Sequence, residues 1–306
     1  MSKKGEIDRM KILGLSTMGN SAAAITVDGK VIAAIEEERL TTMKNDGGFP
    51  FHAIKTCLNS ADMNFSDLDE IAVYWQPWRF MNRSIAVLKG AILDPKNIKF
   101  RAKRIMEIIS GKKNKNDDYP ELRGSWIDLF RIKSILKKEY GNFSATIKYY
   151  DHHDCHAASI LYLANYKQTI CLTYDGGGES DSTVIYSVNG DVQKRLKTIL
   201  WPNSLGHFYS SFTGFLGFRM LEGEYKMMGL APYGKPVFKE YILSKILQKK
   251  PDGEYILNTK ILNYHAALHG AFSFELESKL GKPRKPNEEF TEHHHNIASS
   301  VQLVFE

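Results

Sequence analysis

The sequence predicts an α/β protein built from two similar halves, and two patterns support this fold class. Short apolar runs of strand length alternate with longer segments of helical length, as in mixed sheets flanked by helices. The order of strand, small-residue turn, hairpin and third strand also occurs twice along the 306 residues. This recurrence lies in the order of the elements and not in the residues themselves.

The first half is predicted over residues 1–168 and opens with three antiparallel strands. Lys11–Ser16 is a short apolar run that suits a buried strand, and Asp28-Gly29 separates the next two runs. Asp-Gly between apolar runs indicates a hairpin, because glycine tolerates the positive φ of the tight turn. The rest of this half is predicted as a helix at 53–58, a strand at 71–75, a basic helical insertion at about 77–141 and a strand at 145–150.

The second half is predicted over residues 169–306. A buried strand at 170–174 ends at Asp175 and three glycines, and strands at 183–188 and 195–200 flank Asn189-Gly190. Two such halves are typical of the duplicated actin-like, ribonuclease-H-like fold, whose cleft binds phosphate through the N–H groups of its two turns. A helical run at 296–305 reaches Glu306 without a capping signal, so we expect a chain truncated before this fold is complete.

The composition is that of a globular protein, with 43% apolar and 25% charged residues. No run approaches the roughly 18 to 20 apolar residues of a membrane helix. The first residues are charged and lack the apolar stretch of a secretory signal. Three scattered cysteines are too few for a disulfide framework. We therefore expect a cytoplasmic protein without a membrane partner.

Basic residues concentrate between Lys96 and Lys138, although the net charge of the chain is only +6. Such a run can attract nucleic acid or an anionic substrate. Surface charge tracts are more often solvated faces, and no zinc-knuckle spacing or aromatic RNA-binding signature accompanies this one. Nucleic acid is therefore the last-ranked partner.

The densest polar cluster is Asp-His-His-Asp-Cys-His at 151–156. In a helix that starts near His152, the rings of His152 and His156 lie four residues apart on one face and can share a metal ion. His153 then points elsewhere and either supports a ligand or faces solvent. The alternative is a helix N-terminus capped by Asp151, with histidines exposed by chance.

The turn at 175–181 combines a carboxylate with glycines. The backbone at Gly176, Gly177 and Gly178 can approach a phosphate closely, and its N–H groups can form an anion-binding nest. Asp175 would repel that phosphate unless a cation bridges the two, so it is predicted as the third metal ligand. The alternative is an ordinary hairpin loop.

The segment from Glu222 to Pro236 mixes glycines with a Pro-Tyr-Gly turn. It is predicted to be a rigid loop that lines a cleft. Lys226, expected to be buried, could neutralise a phosphate there as a point charge. From the residues alone, it is only a loop with turn residues.

Taken together, these segments resemble the carbamoyltransferase family that includes nodulation-factor and antibiotic O-carbamoyltransferases. The likeness runs in one order over almost the whole chain. It is most specific in the histidine box and in Met-Gly-Leu-Ala-Pro-Tyr-Gly at 228–234. The matching stretches are Lys11–Ser16, 34–40, 49–50, 152–159, 175–179 and 226–234.

The resemblance implies an actin-like domain related to the tRNA threonylcarbamoyl transferases. It implies that carbamoyl phosphate and ATP give carbamoyladenylate, whose carbamoyl group passes to a hydroxyl or amine of a small-molecule acceptor. A divalent metal, iron first with zinc or manganese as alternatives, would be held by His152, His156 and Asp175 and would act as a Lewis acid.

The resemblance also implies roles for further residues. Lys226 and Glu179 would be catalytic. The residues expected to bind substrate or nucleotide are Asn20, Ser21, Gly176, Gly177, Gly178, Glu224 and Gly229.

Two features depart from the family pattern. Gly19-Asn20 stand where members usually carry a His-Asp pair whose histidine helps to handle the carbamoyl group. The family's glycine-rich adenine loop, a further metal aspartate and the C-terminal domain are not among these residues. We therefore expect that domain as a partner, with a homodimer as a further alternative, and we expect this chain alone to be weak or inactive.

Two other functions stay open on the sequence. An actin-like sugar or acid kinase would use Asp175 as a base and the glycine turn for phosphate, and it would not need the histidine pair. A non-catalytic nucleotide-binding relative would have kept the fold after losing the histidine at position 19.

Overall fold

The computed structural model describes residues 9–80, 126–164, 166–190, 192–220, 222–262, 264 and 272–306. These residues form two compact units, one comprising 9–78 and 126–152, the other comprising 79–80 and the described residues from 153 onward. Each unit combines strands with helices, which confirms the α/β class. No helix within these ranges is both long and apolar enough to cross a membrane.

The first unit contains a five-stranded mixed sheet made of β1 (Lys11–Ser16), β2 (Ala22–Val27), β3 (Lys30–Glu36), β4 (Glu70–Val73) and β5 (Thr146–Tyr149). Its strand order is β3-β2-β1-β4-β5. β1 pairs antiparallel with β2 and parallel with β4. The β2–β3 hairpin turns at Asp28 and Gly29 with φ values of 50° and 73°. Both values lie in the left-handed region that such a turn requires.

Three helices accompany this sheet: α1 (Glu38–Thr41), α2 (Phe51–Ser60) and α3 (Trp126–Tyr140). The start of α2 is held by Glu37, whose buried carboxylate accepts the N–H groups of His52 at 3.2 Å and Ala53 at 2.7 Å. This carboxylate satisfies donors that the first turn of a helix leaves open. α3 is helical as predicted, and the rest of the predicted insertion up to residue 125 lies largely outside the described residues.

The second unit is organised around an antiparallel sheet in the order β6-β7-β8 and a small hairpin, β9–β10. Its strands are β6 (Gln168–Tyr174), β7 (Asp181–Asn189), β8 (Val192–Leu200), β9 (Leu247–Lys249) and β10 (Tyr255–Leu257). Its helices are α4 (His152–Ala164), α5 (Leu205–Phe215), α6 (Glu224–Leu230), α7 (Lys239–Tyr241, continuing as a π turn at Ile242–Ile246), α8 (Phe274–Leu280) and α9 (Glu292–Phe305).

α4 begins at the last residue of the first unit and packs with the second. Ala157 on α4 is fully buried in a cluster with Val184 and Tyr186 of β7. A larger core joins α5, α6 and α9 through residues such as Phe208 and Phe212. The predicted halves, 1–168 and 169–306, would instead group α4 with the first sheet, and that division stays a prediction.

The segment from Glu222 to Pro236 is not the loop that its glycines suggested. Residues Glu224–Leu230 form α6, and Ala231–Tyr233 continue as a 3-10 turn. Met227 turns inward and is fully buried. The prediction was wrong because burial of an apolar face outweighed the low helix propensity of Gly229, which is only a weak local preference.

Gly234, at the end of the family-specific stretch, lies directly against α9. A methyl group added to it would overlap the backbone of His295 and Asn296. The N–H of Lys235 donates to Asn296 Oδ1 at 2.6 Å, and the N–H of Phe238 donates to Ser300 Oγ at 3.0 Å. Close approach of two backbones therefore explains why glycine stands at position 234.

We predict that Gly234→Ala destabilises the second unit by about 1–3 kcal/mol, because an over-packed contact must push the segment away from α9. Gly229→Ala serves as the matched control, since its added methyl group meets open space. Alanine has the higher helix propensity, so this control should be neutral or stabilising by up to about 1 kcal/mol. Urea-unfolding midpoints measure both variants, and equal midpoints would contradict the close-packing explanation.

Candidate metal and phosphate site

Helix α4 carries both histidines that were predicted to bind metal. His152 is its first residue and His156 follows one turn later, so the helix itself sets their separation. Nε2 of His156 lies 3.5 Å from Oδ2 of Asp175, which follows the last residue of β6. One ligand atom from each of His152, His156 and Asp175 lies within 4.8 Å of the other two. Two imidazoles and one carboxylate form a donor set that zinc and iron both accept.

The three side chains differ in exposure. His152 is 9% exposed and packs against the rings of Tyr74 and Trp75, at centroid distances of 5.4 and 4.7 Å. The side chains of His156 and Asp175 are 50% and 37% exposed. His152 is thus the covered side chain of the three, and His156 and Asp175 are accessible to solvent.

His153 lies between these histidines in sequence and is fully buried, which excludes the solvent-facing alternative and leaves the supporting one. Its Nε2 lies 3.2 Å from the carbonyl oxygen of Asp181, and its Nδ1 lies 2.9 Å from Oγ1 of Thr173. Because a carbonyl oxygen only accepts, Nε2 carries the hydrogen. His153 therefore anchors the first turn of α4 to the sheet.

The turn after β6 is held by the start of α5. Ser204 caps α5 by accepting the N–H of His207 at 3.0 Å, and its hydroxyl donates to the carbonyl oxygen of Asp175 at 2.8 Å. A methyl group added to Gly206 would lie 2.6 Å from the amide nitrogen of Gly176. Only glycine at position 206 allows α5 to approach Asp175 this closely.

The glycines of the turn have structural roles that the nest prediction did not include. Gly177 has φ of 148°, a conformation that side-chain-bearing residues rarely adopt. The N–H of Gly178 donates to the carbonyl oxygen of Asp181 at 2.8 Å, and that of Gly176 donates to its neighbour Asp175 Oδ1 at 2.5 Å. A phosphate bound by these two N–H groups would have to replace both bonds.

The other predicted residues of the second unit differ in their exposure to solvent. Glu179 follows the glycines and is fully buried. Glu224 accepts a hydrogen bond from Ser210 Oγ on α5 at 2.5 Å. Lys226 and Gly229 are exposed on α6, which corrects the expectation of a buried lysine.

In the first unit, the turn between β1 and β2 holds Asn20 and Ser21. Asn20 is exposed, and its carbonyl oxygen accepts the Ser16 hydroxyl at 3.3 Å. Ser21 is fully buried, and its Oγ has no hydrogen-bond partner among the described residues. The same holds for Oγ1 of Thr17, which is 3% exposed. Thr17 was missed in the sequence because a threonine at a strand end suggests only a turn.

Two further residues, His207 on α5 and Arg195 on β8, were also missed in the sequence. A methyl group added to Gly176 would lie 3.6 Å from Cε1 of His207, so this imidazole borders the glycine turn. Arg195 on β8 bonds to both Asp154 and Asp181. The sequence contains no signal that would have singled out either residue, because both contacts depend on how distant segments pack.

Cys171 on β6 is the cysteine nearest in sequence to Asp175. Burial raises the pKa of the Cys171 thiol. It therefore stays protonated near neutral pH, whereas a thiolate is the form that binds metal or acts as a nucleophile. The three side chains of the cluster themselves offer nitrogen and oxygen donors.

The chain is similar to a described protein family and to several longer proteins. Residues 11–306 match the family described as carbamoyltransferase N-terminus. The chain is 32% identical over 305 residues to the uncharacterised protein sll1178 of Synechocystis sp., covering 96% of this chain and 46% of that protein. It is 29% identical over 293 residues to the nodulation protein NolNO of Sinorhizobium fredii, covering 94% and 37%. The chain thus spans less than half the length of these relatives.

Two further matches are more distant or shorter. The nodulation protein NolO of Bradyrhizobium diazoefficiens is 29% identical over 156 residues, which cover 51% of this chain and 26% of that protein. Among solved structures, the Ppx/GppA phosphatase of Aquifex aeolicus matches 97% of this chain and 91% of its own at a TM-score of 0.30 and 11% identity. A score this low does not identify a shared fold.

We predict that Ser204→Ala weakens divalent-metal binding, because it removes the hydroxyl that holds the carbonyl oxygen of Asp175. It should also cost about 1 kcal/mol of stability through loss of the helix cap. Ser273→Ala is the matched control, since Ser273 caps α8 by accepting the N–H of Leu276 at 3.1 Å. Calorimetric titration with zinc should show weaker binding for the Ser204 variant alone. The same loss in both variants would indicate a general effect of instability.

Proposed function

Because this chain belongs to the family of carbamoyltransferase N-termini, we propose that it takes part in moving a carbamoyl group from carbamoyladenylate to a hydroxyl or amine of a small-molecule acceptor. Carbamoyl phosphate and ATP are the proposed sources of the adenylate. The observation that carries the proposal is the convergence of His152, His156 and Asp175 within 4.8 Å in a chain of this family. The site would work together with the additional residues that the longer relatives contain.

These three residues would hold a divalent metal, with iron proposed first and zinc or manganese as alternatives. When bound, such an ion polarises a carbonyl or phosphoryl oxygen as a Lewis acid. The donor set fits this role, since it leaves coordination positions for other ligands, and the exposure of His156 and Asp175 gives access from solvent.

The chain's own polar groups would bind the charged ends of the substrates. A buried hydroxyl without a partner costs roughly 1–3 kcal/mol, so a ligand oxygen that accepts from Thr17 and Ser21 would recover that cost. Asn20 offers an exposed amide beside them. This turn is the proposed phosphate contact of the first unit.

In the second unit, Lys226 is the proposed point charge for a phosphate that approaches from solvent. Glu224 and Gly229 lie on the same short helix, and the carboxylate of Glu224 is held by the hydrogen bond from Ser210. Glu179 is fully buried, so we assign it an effect on the shape of the glycine turn instead of a contact with the acceptor. Its catalytic role would be indirect.

The transfer step itself forms a bond from the acceptor oxygen or nitrogen to the carbamoyl carbon. The bond from that carbon to the phosphate oxygen of AMP breaks, and the acceptor loses one proton. AMP is the leaving group. Adenylate formation proceeds in two steps: water first cleaves carbamoyl phosphate to carbamate and inorganic phosphate. A carbamate oxygen then attacks the α-phosphorus of ATP and pyrophosphate leaves, whereas a kinase would leave ADP.

We predict that the protein containing this chain, supplied with carbamoyl phosphate and ATP, releases pyrophosphate and forms no ADP. Chromatography of the nucleotides together with a pyrophosphate assay distinguishes the outcomes. ADP and a phosphorylated sugar or acid would favour the kinase alternative. Binding of ATP without any product would favour a non-catalytic relative, consistent with glycine at position 19.

We also predict that the double substitution His152→Ala, His156→Ala removes most of the bound metal, because two of the three ligands are lost. The control is His294→Ala, His295→Ala, two neighbouring histidines of α9 that lie outside the cluster. Metal content is measured by elemental analysis of dialysed protein. An unchanged content in the first variant would overturn the proposed metal site.

A further inference from the structure

The first turn of α4 also carries Asp154, which is tied to the sheet by Arg195 of β8. The guanidinium of Arg195 donates to Asp154 Oδ1 from Nη2 at 2.8 Å and from Nε at 3.1 Å. The hydroxyl of Tyr186 on β7 donates to the same oxygen at 2.8 Å. The helix turn that holds His152 and His156 is therefore bound to two strands of the sheet.

The other side of the same guanidinium binds Asp181 on β7. Nη1 of Arg195 lies 2.7 Å from Oδ2 of Asp181, whose side chain is only 3% exposed. Asp181 also accepts from Ser180 Oγ at 2.8 Å and pairs with Arg79 at 3.3 Å. One arginine thus bridges a carboxylate of the helix and a buried carboxylate of the sheet.

The planar guanidinium allows Arg195 to bind Asp154 and Asp181 at the same time. Nε and Nη2 are directed to one aspartate and Nη1 to another, a rigid fork that a lysine ammonium cannot reproduce. Hydrogen bonds to charged groups are also the stronger and shorter class. The carbonyl oxygen of Asp181 also accepts a hydrogen bond from His153 of α4. Asp181 on β7 is therefore bound both to α4 and to the guanidinium of Arg195.

We propose that Arg195 is a positioning residue for the metal site: by fixing α4 against β7 and β8, it sets the distance between His156 on the helix and Asp175 at the end of β6. This inference rests on the proposed metal site. Metal sites accept ligand distances only within a few tenths of an ångström, so a small shift of α4 separates the donors. Loss of such supporting partners typically weakens metal affinity by roughly 10- to 100-fold.

The test compares Arg195→Met with two controls in the same sheet. Lys197→Met removes a cation from β8 that pairs with Asp252 and Glu254, away from the bridge. Val184→Ala creates a cavity at a fully buried position of β7, so it lowers stability without removing any polar contact. Arg195→Lys keeps the charge and removes the fork.

Affinity for cobalt(II) is measured by competition with a chromophoric chelator, and the visible absorption of the bound cobalt reports its ligand geometry. We expect Arg195→Met to weaken binding roughly tenfold or more and to alter the cobalt spectrum, with little recovery in Arg195→Lys. Lys197→Met and Val184→Ala should retain the affinity and spectrum of the unmodified chain.

The outcomes separate the two proposals. If the unmodified chain binds no metal, the proposed site itself fails. If the unmodified chain and Arg195→Met bind cobalt equally, only the positioning role is overturned. If Val184→Ala loses as much affinity as Arg195→Met, the effect follows from stability, and the positioning role is overturned as well.

Discussion

The buried carboxylate of Asp181 is the constraint on which the arrangement of the second unit depends. A charge that is almost fully removed from water is tolerated only if opposite charge and hydrogen bonds compensate for its lost hydration. Here the compensation comes from Ser180, Arg79 and Arg195. Since Arg195 must stay close to Asp181, its second partner, Asp154, is drawn to the same place. Satisfying one buried charge therefore also fixes the start of α4.

The turn after β6 obeys a different constraint, which is close approach of backbone. Gly206 lets the first turn of α5 reach the Asp175–Gly176 peptide, and Ser204 then serves both as helix cap and as donor to the carbonyl oxygen of Asp175. Gly177 supplies a φ that other residues avoid. These glycines are explained by packing before any ligand is considered, so glycine content alone was a poor indicator of phosphate binding.

The sequence predicted those parts of the fold and site that depend on local geometry. The hairpin at Asp28-Gly29 follows from two consecutive residues, and the pairing of His152 with His156 follows from the pitch of one helix. Asp175 could be included because the end of the strand is visible in the sequence. The expectation that this strand is buried was wrong, since Ile170, Leu172 and Tyr174 are exposed on one of its faces. For the hairpin and the histidine pair, neighbouring residues in the chain determine the relevant geometry.

What the sequence did not reveal depends on contacts between distant segments. Arg195 alternates with Leu196 on β8, and only the strand register shows that the arginine is the residue facing inward. The exposure of Lys226 was not foreseen because it follows from the formation of α6. That helix depends on the packing of Met227 in the core, which local propensity does not indicate.

Burial and hydrogen bonding also distinguish two kinds of polar group around the candidate site. Groups that hold the frame, such as Asp181 and His153, are buried and satisfied by protein atoms. Groups proposed to meet a ligand are either half-exposed, as His156 is, or buried without a protein partner among the described residues, as the Thr17 and Ser21 hydroxyls are. A buried polar atom without a partner is costly in the folded protein, and a bound ligand oxygen can remove that cost. The polar groups left unsatisfied by folding therefore indicate where binding free energy can be gained.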